Sequence, residues 1–585
     1  MNIVVSTLNA KYIHTSLAIR HLKAYAEPEF HIEMAEYTIN DPVMNIVTDL
    51  YSKKPDVIGF SCYIWNIEET IKVIKMLKKI NQNLTIILGG PEVTYDVLEW
   101  LERIPEVDFI VIGEGEETFK QLLIKLEGDQ KYEQVNGIGF KKEGQISITP
   151  QQNKVNLAEL PSPYRFQEDL PQLSKRITYI ETSRGCPFSC QFCLSSIEIG
   201  VRYFDREKIK EDIRYLMKNG TKTIKFVDRT FNISRSYAME MFQFLIDEHA
   251  PGTVFQFEIT ADIMRPEVIE FLNKEAPPGL FRFEIGVQST NDYTNELVMR
   301  KQNWNKLVRT VTMVKEGGKI DQHLDLIAGL PEEDYHSFRK TFNDVFEMRP
   351  EELQLGFLKM LRGTGLRLRA AEHDYVYMDH SPYEILRNSV LSFEDISRIK
   401  QVEDVIEKYW NDHRMDATIE YLVTNPFPSP FDFFQEFGTF WGDQGWVKIG
   451  HQLEDLFKRL FQFLSVKQVK ELRMIEGLMK FDYLLNQKHK PRKPWWNTET
   501  ITKQIRSHYY QQLSKDPAIL GDIFLQLNLQ EKDLYKHTVM DLLPFDIAYY
   551  QQSGEIIKQE TLMIVYFDPT ERRAKVFSAS LEKFA

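Results

Sequence analysis

The chain has 585 residues, 43% hydrophobic and 27% charged, with 72 Lys and Arg against 85 Asp and Glu for a formal net charge of −13. That length exceeds what one core organises, so three or four domains are expected, and the acidic balance argues against a general nucleic-acid binder. No apolar run reaches the length of a membrane span, and four cysteines in 585 residues make no disulfide framework. The opening MNIVVSTLNA lacks a basic segment followed by an apolar stretch, so a cytoplasmic location is expected.

Residues 1–135 alternate short β-branched runs with amphipathic stretches. Strands are predicted at 2–7, 31–37, 56–62, 85–90 and 108–113, with helical patterns such as NIEETIKVIKMLKKI between them. This alternation predicts an open parallel sheet covered on both faces, Rossmann-like or flavodoxin-like, with ligands beyond the carboxyl ends of the strands. Those ends carry SCYIWN (61–66), GGPE (89–92) and GEGEE (113–117). Glycines there let a backbone approach a large flat or phosphate-bearing ligand, although glycine-rich strand ends are also ordinary turns.

Residues 136–171 read as a connector, hairpin-like over GIGFKKEGQISI and then proline-punctuated in ELPSPYRF. From 172 to 375, six more strands are predicted, at 177–183, 223–228, 254–260, 281–287, 321–329 and 352–357. Six strand–helix units fall short of the about 250 residues of a full eight-unit barrel, so a partial (β/α)6 TIM-type barrel is expected. Residues 376–585 turn to long, aromatic-rich helical patterns closed by TLMIVYFD and RAKVFSA, a mostly α-helical C-terminal domain without a catalytic motif. Within it, the basic QKHKPRKPWWN (487–497) offers tryptophans for stacking on RNA or an anionic metabolite. A solvated linker is the favoured reading, since proline interrupts it twice.

Three of the four cysteines, Cys186, Cys190 and Cys193, fall in CPFSCQFC, spaced C-x3-C-x2-C directly after the first barrel strand. Three thiolates on one short loop hold three irons of a cubane cluster and leave the fourth iron open. A structural zinc site would want a fourth Cys or His at its own spacing, and the nearest downstream histidine is His249. Gly185 and Pro187 suit a tight loop around a cluster, and Phe192 can shield it. No catalytic side chain is singled out.

The sequence CPFSCQFC after a barrel strand resembles the signature of the radical S-adenosylmethionine (SAM) enzymes. That resemblance implies a [4Fe-4S] cluster whose open iron chelates the methionine part of SAM and whose reduction cleaves SAM to a hydrogen-abstracting 5′-deoxyadenosyl radical. It implies an electron donor such as flavodoxin or ferredoxin. By the same resemblance, FVDRTFN (226–232) places Asp228 at the SAM amino group with Thr230 and Asn232 as helpers, although the Gly-Gly-Glu of many members is missing. FEITADI offers Glu258 and Asp262 for ribose hydroxyls, and EIGVQS offers Glu284, Gln288 and Ser289. Arg300 is a candidate partner of the SAM carboxylate.

A parallel domain ahead of such a barrel resembles the cobalamin-dependent subfamily, in a bacterial subgroup with an uncharacterised C-terminal domain. The resemblance implies that Ser61, Tyr63, Asn66, Gly89, Gly90, Gly113, Glu114 and Gly115 cradle the corrin ring and its nucleotide tail. One departure concerns cobalt. The histidine motif D-x-H-x-x-G is absent, and His14, His21 and His31 are the only histidines of the first domain. Surface or helix positions are expected for His14 and His21, leaving the lower face of cobalt open or water-bound. The lone Cys62 rules out the second three-cysteine cluster of methylthiotransferases and reads as a buried apolar residue.

The leading expectation is a cobalamin-dependent radical SAM enzyme that methylates an unactivated carbon of a small-molecule or otherwise unknown substrate. The alternatives are cyclisation or rearrangement with cobalamin but without methyl transfer, and a non-catalytic cobalamin or iron–sulfur sensor. RNA modification is the weakest, and no membrane or nucleic-acid partner is expected.

Overall fold

The computed structural model describes residues 1–585 except Pro28, Glu143, Glu198, Ile199, 497–500 and Ala585. The expected turn of GIGFKKEGQISI and the end of QKHKPRKPWWN therefore lie partly outside the described residues. The chain divides into two compact units, Met1–Ile396 and Ser397–Ala585.

The first unit opens with five parallel strands, β1 (Ile3–Asn9), β2 (Ile32–Thr38), β3 (Val57–Ser61), β4 (Thr85–Gly89) and β5 (Phe109–Val111), in the spatial order β2-β1-β3-β4-β5. Helices α1 (Leu17–Ala26), α2 (Val43–Ser52), α3 (Ile67–Ile80), α4 (Val97–Arg103) and α5 (Glu116–Glu127) cover the two faces. Two apolar clusters seal it, one around Val4, Ile58, Ile86 and Trp100 and the other around Val5, Ile87, Phe119 and Leu122. β1 is buried along its whole length, and its hydroxyls are satisfied inside the domain, Ser6 donating to the Ala35 carbonyl at 2.9 Å and Thr7 to the Ser61 carbonyl at 3.2 Å. One expectation is corrected. The hairpin assigned to the connector, β6 (Ile138–Lys142) and β7 (Gln145–Ile148), continues the same sheet antiparallel from β5. It thereby covers what would be an open edge.

The barrel strands follow: β8 (Ile177–Ile180), β9 (Thr223–Phe226), β10 (Val254–Ile259), β11 (Phe281–Gln288), β12 (Asp321–Ala328) and β13 (Glu352–Phe357). They pair in parallel and in chain order, the open six-stranded form expected. Alternation along them is strict. In β11, Phe281, Phe283, Ile285 and Val287 are buried under the outer helices while Arg282, Glu284 and Gln288 point the other way, into the barrel. The barrel interior is therefore lined by charge, with Lys225 paired to Glu284 and Arg282 to Glu352.

The second unit begins at Ser397 rather than 376, because Val376–Tyr377 and Ile385–Arg387 form a small antiparallel pair within the first. It packs helices Pro430–Asp443, Leu453–Val466 and Leu472–Leu485 through Phe433, Phe437, Trp441 and Phe463, and closes on a three-stranded antiparallel sheet. The tryptophans of QKHKPRKPWWN belong to its core. Trp496 is buried and donates Nε1–H to Asp541 at 2.9 Å, and Trp495 packs on Phe457 and Phe461. Neither a free linker nor a stacking platform survives. Among the described residues, no helix is long and apolar enough to cross a membrane.

Candidate functional site

The three-cysteine loop is launched by the end of β8 and closed at its base, where Ser183–Arg184 pairs antiparallel with Arg202–Tyr203. Inside it, Gly185 takes φ +95°, Cys193 N–H donates to the Cys190 carbonyl at 3.1 Å, and Gly200 N–H donates to the Cys186 carbonyl at 3.3 Å. All three cysteines are free thiols. Among the described residues, no group of three or more His, Cys, Asp or Glu converges on a single ion. Three thiolates on one short loop suit a polynuclear cluster in which each of three irons takes one thiolate. Burial pushes the Cys186 and Cys190 thiols above the ordinary range, and nearby cations oppose it: Arg229 for Cys186, and Arg300 for Cys190, whose Sγ lies 3.9 Å from Nη1.

Several residues expected to contact ligand are engaged by other parts of the chain. Asp228 is fully buried and accepts from Thr182 Oγ1 at 2.7 Å, Thr182 N at 3.1 Å and Ser183 Oγ. With both oxygens engaged, it anchors the strand end below the cysteines. Asn232 donates to the Thr260 carbonyl at 2.9 Å and accepts from its N–H at 3.0 Å, tying the loop after β9 to the loop after β10. Thr230 donates to the Arg229 carbonyl at 2.7 Å. Asp262 accepts from Asn303 N–H at 2.8 Å, ahead of the helix Trp304–Gly317. Glu284 is neutralised by Lys225, and Ser289 donates to buried Glu333 at 2.6 Å.

Three expected SAM contacts retain free capacity: Gln288, Arg300 and, on the wall of the cavity described below, Glu258. Gln288 sits at φ +69°, a strained value for a non-glycine residue, with its Oε1 buried and without a hydrogen bond. Its side chain folds back over Gly286, where a Cβ would collide with Nε2. Arg300 donates to the Gly286 carbonyl and to Gln302, beside Cys190. A strained residue with an orphaned acceptor next to a guanidinium and a cluster thiol fits a small polar ligand bearing a carboxylate and donor groups, as SAM does.

A cavity of about 720 Å³ opens between the carboxyl edge of the first sheet and the barrel. Ser61, Tyr63, Gly89, Gly90, Gly113, Glu114 and Gly115 all line it. Asn66 does not. It is buried and pins the SCYIWN turn by accepting from Tyr63 N–H at 2.8 Å and donating to the Ser61 and Leu8 carbonyls. Gly90 has φ +106° and lies so close to β3 that a Cβ would stand 2.6 Å from the Cys62 carbonyl, whereas a Cβ on Gly113 would meet nothing within 4 Å. Tyr63 and Trp65 stack at 4.3 Å and 8°, and Trp65 is 46% exposed. A glycine shelf beside an exposed aromatic face fits a broad flat ligand such as a corrin. Cys62 is fully buried, as expected.

From the barrel side the cavity is lined by Tyr179, Glu181, Arg184, Arg229 and Glu258. Arg184 binds Glu116 at 2.6 Å and Glu181 at 3.0 Å, and burial lifts Glu181 to about 7 against that pairing. Glu258 makes no hydrogen bond or ion pair among the described residues; burial raises its pKa while Arg229 and Lys225 oppose the rise. Sequence reading missed Arg229, although it sits inside FVDRTFN, because nothing in one sequence aims a strand-end side chain. It also misplaced His14, which lies neither on the outer surface nor on a helix but in the loop between β1 and α1, lining the cavity.

A glycine-edged parallel sheet facing an open six-stranded barrel with a three-cysteine loop defines a cobalamin-type radical SAM protein. Three family models match successive parts of the chain: residues 3–123 the B12 binding domain, 180–345 the radical SAM superfamily, and 371–566 a protein family of unknown function, DUF4080. It is 28% identical over 236 residues to an uncharacterized methyltransferase of Pyrococcus horikoshii, covering 38% of this chain and 51% of that protein. It is 28% identical over 357 residues to 2-(S-pantetheinyl)-carbapenam-3-carboxylate methyltransferase of Streptantibioticus cattleyicolor, covering 56% of this chain and 50% of that one. Against the anaerobic magnesium-protoporphyrin IX monomethyl ester cyclase of Synechocystis sp., identity is 26%, covering 52% and 61%. The chain thus spans about half the length of the first curated relatives it matches. The cobalamin-dependent SAM radical enzyme OxsB, solved with aqua-cobalamin and SAM, shares the fold at a TM-score of 0.58 and 17% identity, over 82% of this chain and 78% of that one.

Proposed function

We propose that the protein is a cobalamin-dependent radical SAM enzyme that methylates an unactivated carbon of a small molecule, working in the cytoplasm with a flavodoxin- or ferredoxin-type electron donor. The observation that carries this reading is the adjacency of two cofactor-sized sites: Arg184, at the paired base of the three-cysteine loop and two residues before Cys186, also lines the glycine-edged cavity. When bound, the cluster, SAM and cobalamin supply reductive SAM cleavage and a transferable methyl group.

The chain's own residues orient and enclose. Cys186, Cys190 and Cys193 hold the cluster; Gln288 and Arg300 take the polar end of SAM; Gly89, Gly90, Gly113 and Gly115 let the corrin approach the sheet, with Ser61, Tyr63 and Glu114 around it. Glu258 and Arg229 remain on the cavity wall for substrate. Methylation is favoured by the methyltransferase relatives of Pyrococcus and Streptantibioticus, and the cyclase relative keeps ring formation without methyl transfer as the second reading.

Anaerobic reconstitution with iron, sulfide and hydroxocobalamin tests the two sites. About four irons per cubane cluster and a retained corrin are expected, and a Cys186→Ala/Cys190→Ala/Cys193→Ala variant loses iron alone. Turnover with reductant and candidate substrates then separates the readings. Methylation requires S-adenosylhomocysteine alongside 5′-deoxyadenosine, and 5′-deoxyadenosine alone sinks it. A cluster without corrin removes cobalamin chemistry altogether.

A further inference from the structure

The histidine motif D-x-H-x-x-G is absent, yet the cavity holds an imidazole in a suggestive state. His14 lies five residues after the end of β1, on the carboxyl edge of the sheet that also carries Gly89 and Gly113, and it lines the cavity. Its Nδ1 is 2.6 Å from the hydroxyl of Tyr179, an inward residue of β8. Its Nε2 has no hydrogen-bond or ion-pair partner among the described residues. The backbone that carries it is fixed from both sides. His14 N–H donates to the Lys11 carbonyl at 3.1 Å, and Asn9 Nδ2 donates to the His14 carbonyl at 3.1 Å. Ile177 N–H donates to the Ile13 carbonyl at 2.8 Å, and Thr15 Oγ1 to the Ile177 carbonyl at 2.9 Å. One ring nitrogen anchored by a hydrogen bond and the other left open is the arrangement that metal-bound histidines show.

The charges around the ring favour its neutral form. Burial lowers its pKa, and Lys11, Lys225 and Arg176 lower it further, so a lone pair is available at neutral pH. Of the carboxylates on the sheet side of the cavity, Glu114 pairs with Arg202 and Glu116 with Arg184, and the unpaired Glu258 stands on the barrel side. The Cys62 thiol is buried and held protonated. His21 also borders the cavity, but its Nδ1 is enclosed and its Nε2 stands 3.8 Å from Glu181.

We propose that His14 is the lower axial ligand of cobalt, its Nδ1–H donating to the Tyr179 hydroxyl and its Nε2 lone pair facing the cavity. This rests on the reading of the first domain as the cobalamin site, and it replaces the open or water-bound lower face expected from the missing motif. A phenol partner gives the imidazole less electron density than a carboxylate would, so the cobalt–nitrogen bond is expected to be readily released.

The test is the electron paramagnetic resonance spectrum of the full chain, grown with uniform nitrogen-15, loaded with unlabelled hydroxocobalamin and reduced to cob(II)alamin. A protein nitrogen on cobalt splits each cobalt line into a doublet, the benzimidazole of cobalamin itself gives triplets, and water or an empty face gives no nitrogen splitting. Doublets are expected, and they should vanish in His14→Gln while corrin content stays within twofold of wild type. Tyr179→Phe should reduce the doublet fraction without removing it, as befits a positioning residue. Triplets or unsplit lines in the wild type overturn the proposal while leaving cobalamin binding intact, and this arm needs no variant. Doublets that persist in His14→Gln and disappear in His21→Gln overturn it in favour of the helix histidine. Failure of the wild type to retain corrin takes down both this proposal and the cobalamin reading beneath it.

Discussion

Substituting Gly90 by alanine tests how the glycine shelf is built. At φ +106° an L-residue carries backbone strain of about 1–3 kcal/mol. Its Cβ would also stand 2.6 Å from the Cys62 carbonyl oxygen and 3.0 Å from the Cys62 nitrogen, and neither can yield freely. Cys62 N–H donates to the Gly89 carbonyl at 2.7 Å, and the Cys62 carbonyl accepts from Glu92 N–H at 3.3 Å. Relieving the clash means parting the ends of β3 and β4, at about 1 kcal/mol for each hydrogen bond lost. The sum is on the order of 3–5 kcal/mol, a large share of a domain's stability. Gly113→Ala is the matched control. Its φ of +77° carries strain, but its Cβ meets nothing within 4 Å, so about 1–2 kcal/mol is expected. Hydrogen exchange of the apo chain, followed on peptides covering β3, β4 and β5, reads the opening free energy locally. Gly90→Ala should lose protection across β3 and β4, while Gly113→Ala should keep it yet retain less corrin, since Gly113 lines the cavity. A Gly90→Ala protein within about 1 kcal/mol of wild type would refute the close packing of the shelf on Cys62.

Four further outcomes follow from named contacts. Burial pulls His323 down, but Asp325 and Glu352 overcome it and hold the imidazolium to about 9, while Glu352 sits at about 2. A raised histidine contributes stability that is complete below its ordinary value of about 6.5 and lost as pH rises through about 9. The melting temperature should therefore fall over that window, and the same window should be flat in His323→Gln. Asp228→Asn turns an amide donor toward groups that are themselves donors, at about 2–3 kcal/mol locally, and should speed the loss of cluster iron to a chelator. Arg300→Met should weaken SAM binding about tenfold, the equivalent of one charge-assisted hydrogen bond, with iron content unchanged in a filter-binding and metal assay. Trp496→Phe removes the bond to Asp541 and should destabilise the second unit by about 1–3 kcal/mol in a urea melt, with exchange protection in the first unit unmoved.

Much of the architecture was legible along the chain because it is written in local period. Short β-branched runs and period-2 alternation mark strands whatever they later pack against, and so β1 to β5 and β8 to β13 stand where those patterns predict them. The three cysteines needed only their spacing. The hairpin β6–β7 was legible as a hairpin but not as part of the first sheet, because pairing with β5 is a non-local choice that edge protection decides.

Side-chain commitments were not legible, and here tertiary structure decided. Asp228, Asn232, Asp262, Ser289 and Asn66 sit where a ligand-binding residue would sit, yet each is engaged by a neighbour: Asp228 by a strand end more than forty residues earlier, Asp262 by a helix forty-one residues later. Gln288, Arg300, Glu258 and Arg229 keep free capacity for the same kind of reason, since whether a polar group is satisfied depends on which distant elements arrive beside it. His14 shows both sides at once. The sequence by itself determined that no histidine motif for cobalt is present, while only the docking of β8 against the loop after β1 placed a tyrosine hydroxyl on one nitrogen of that ring and a cavity beside it.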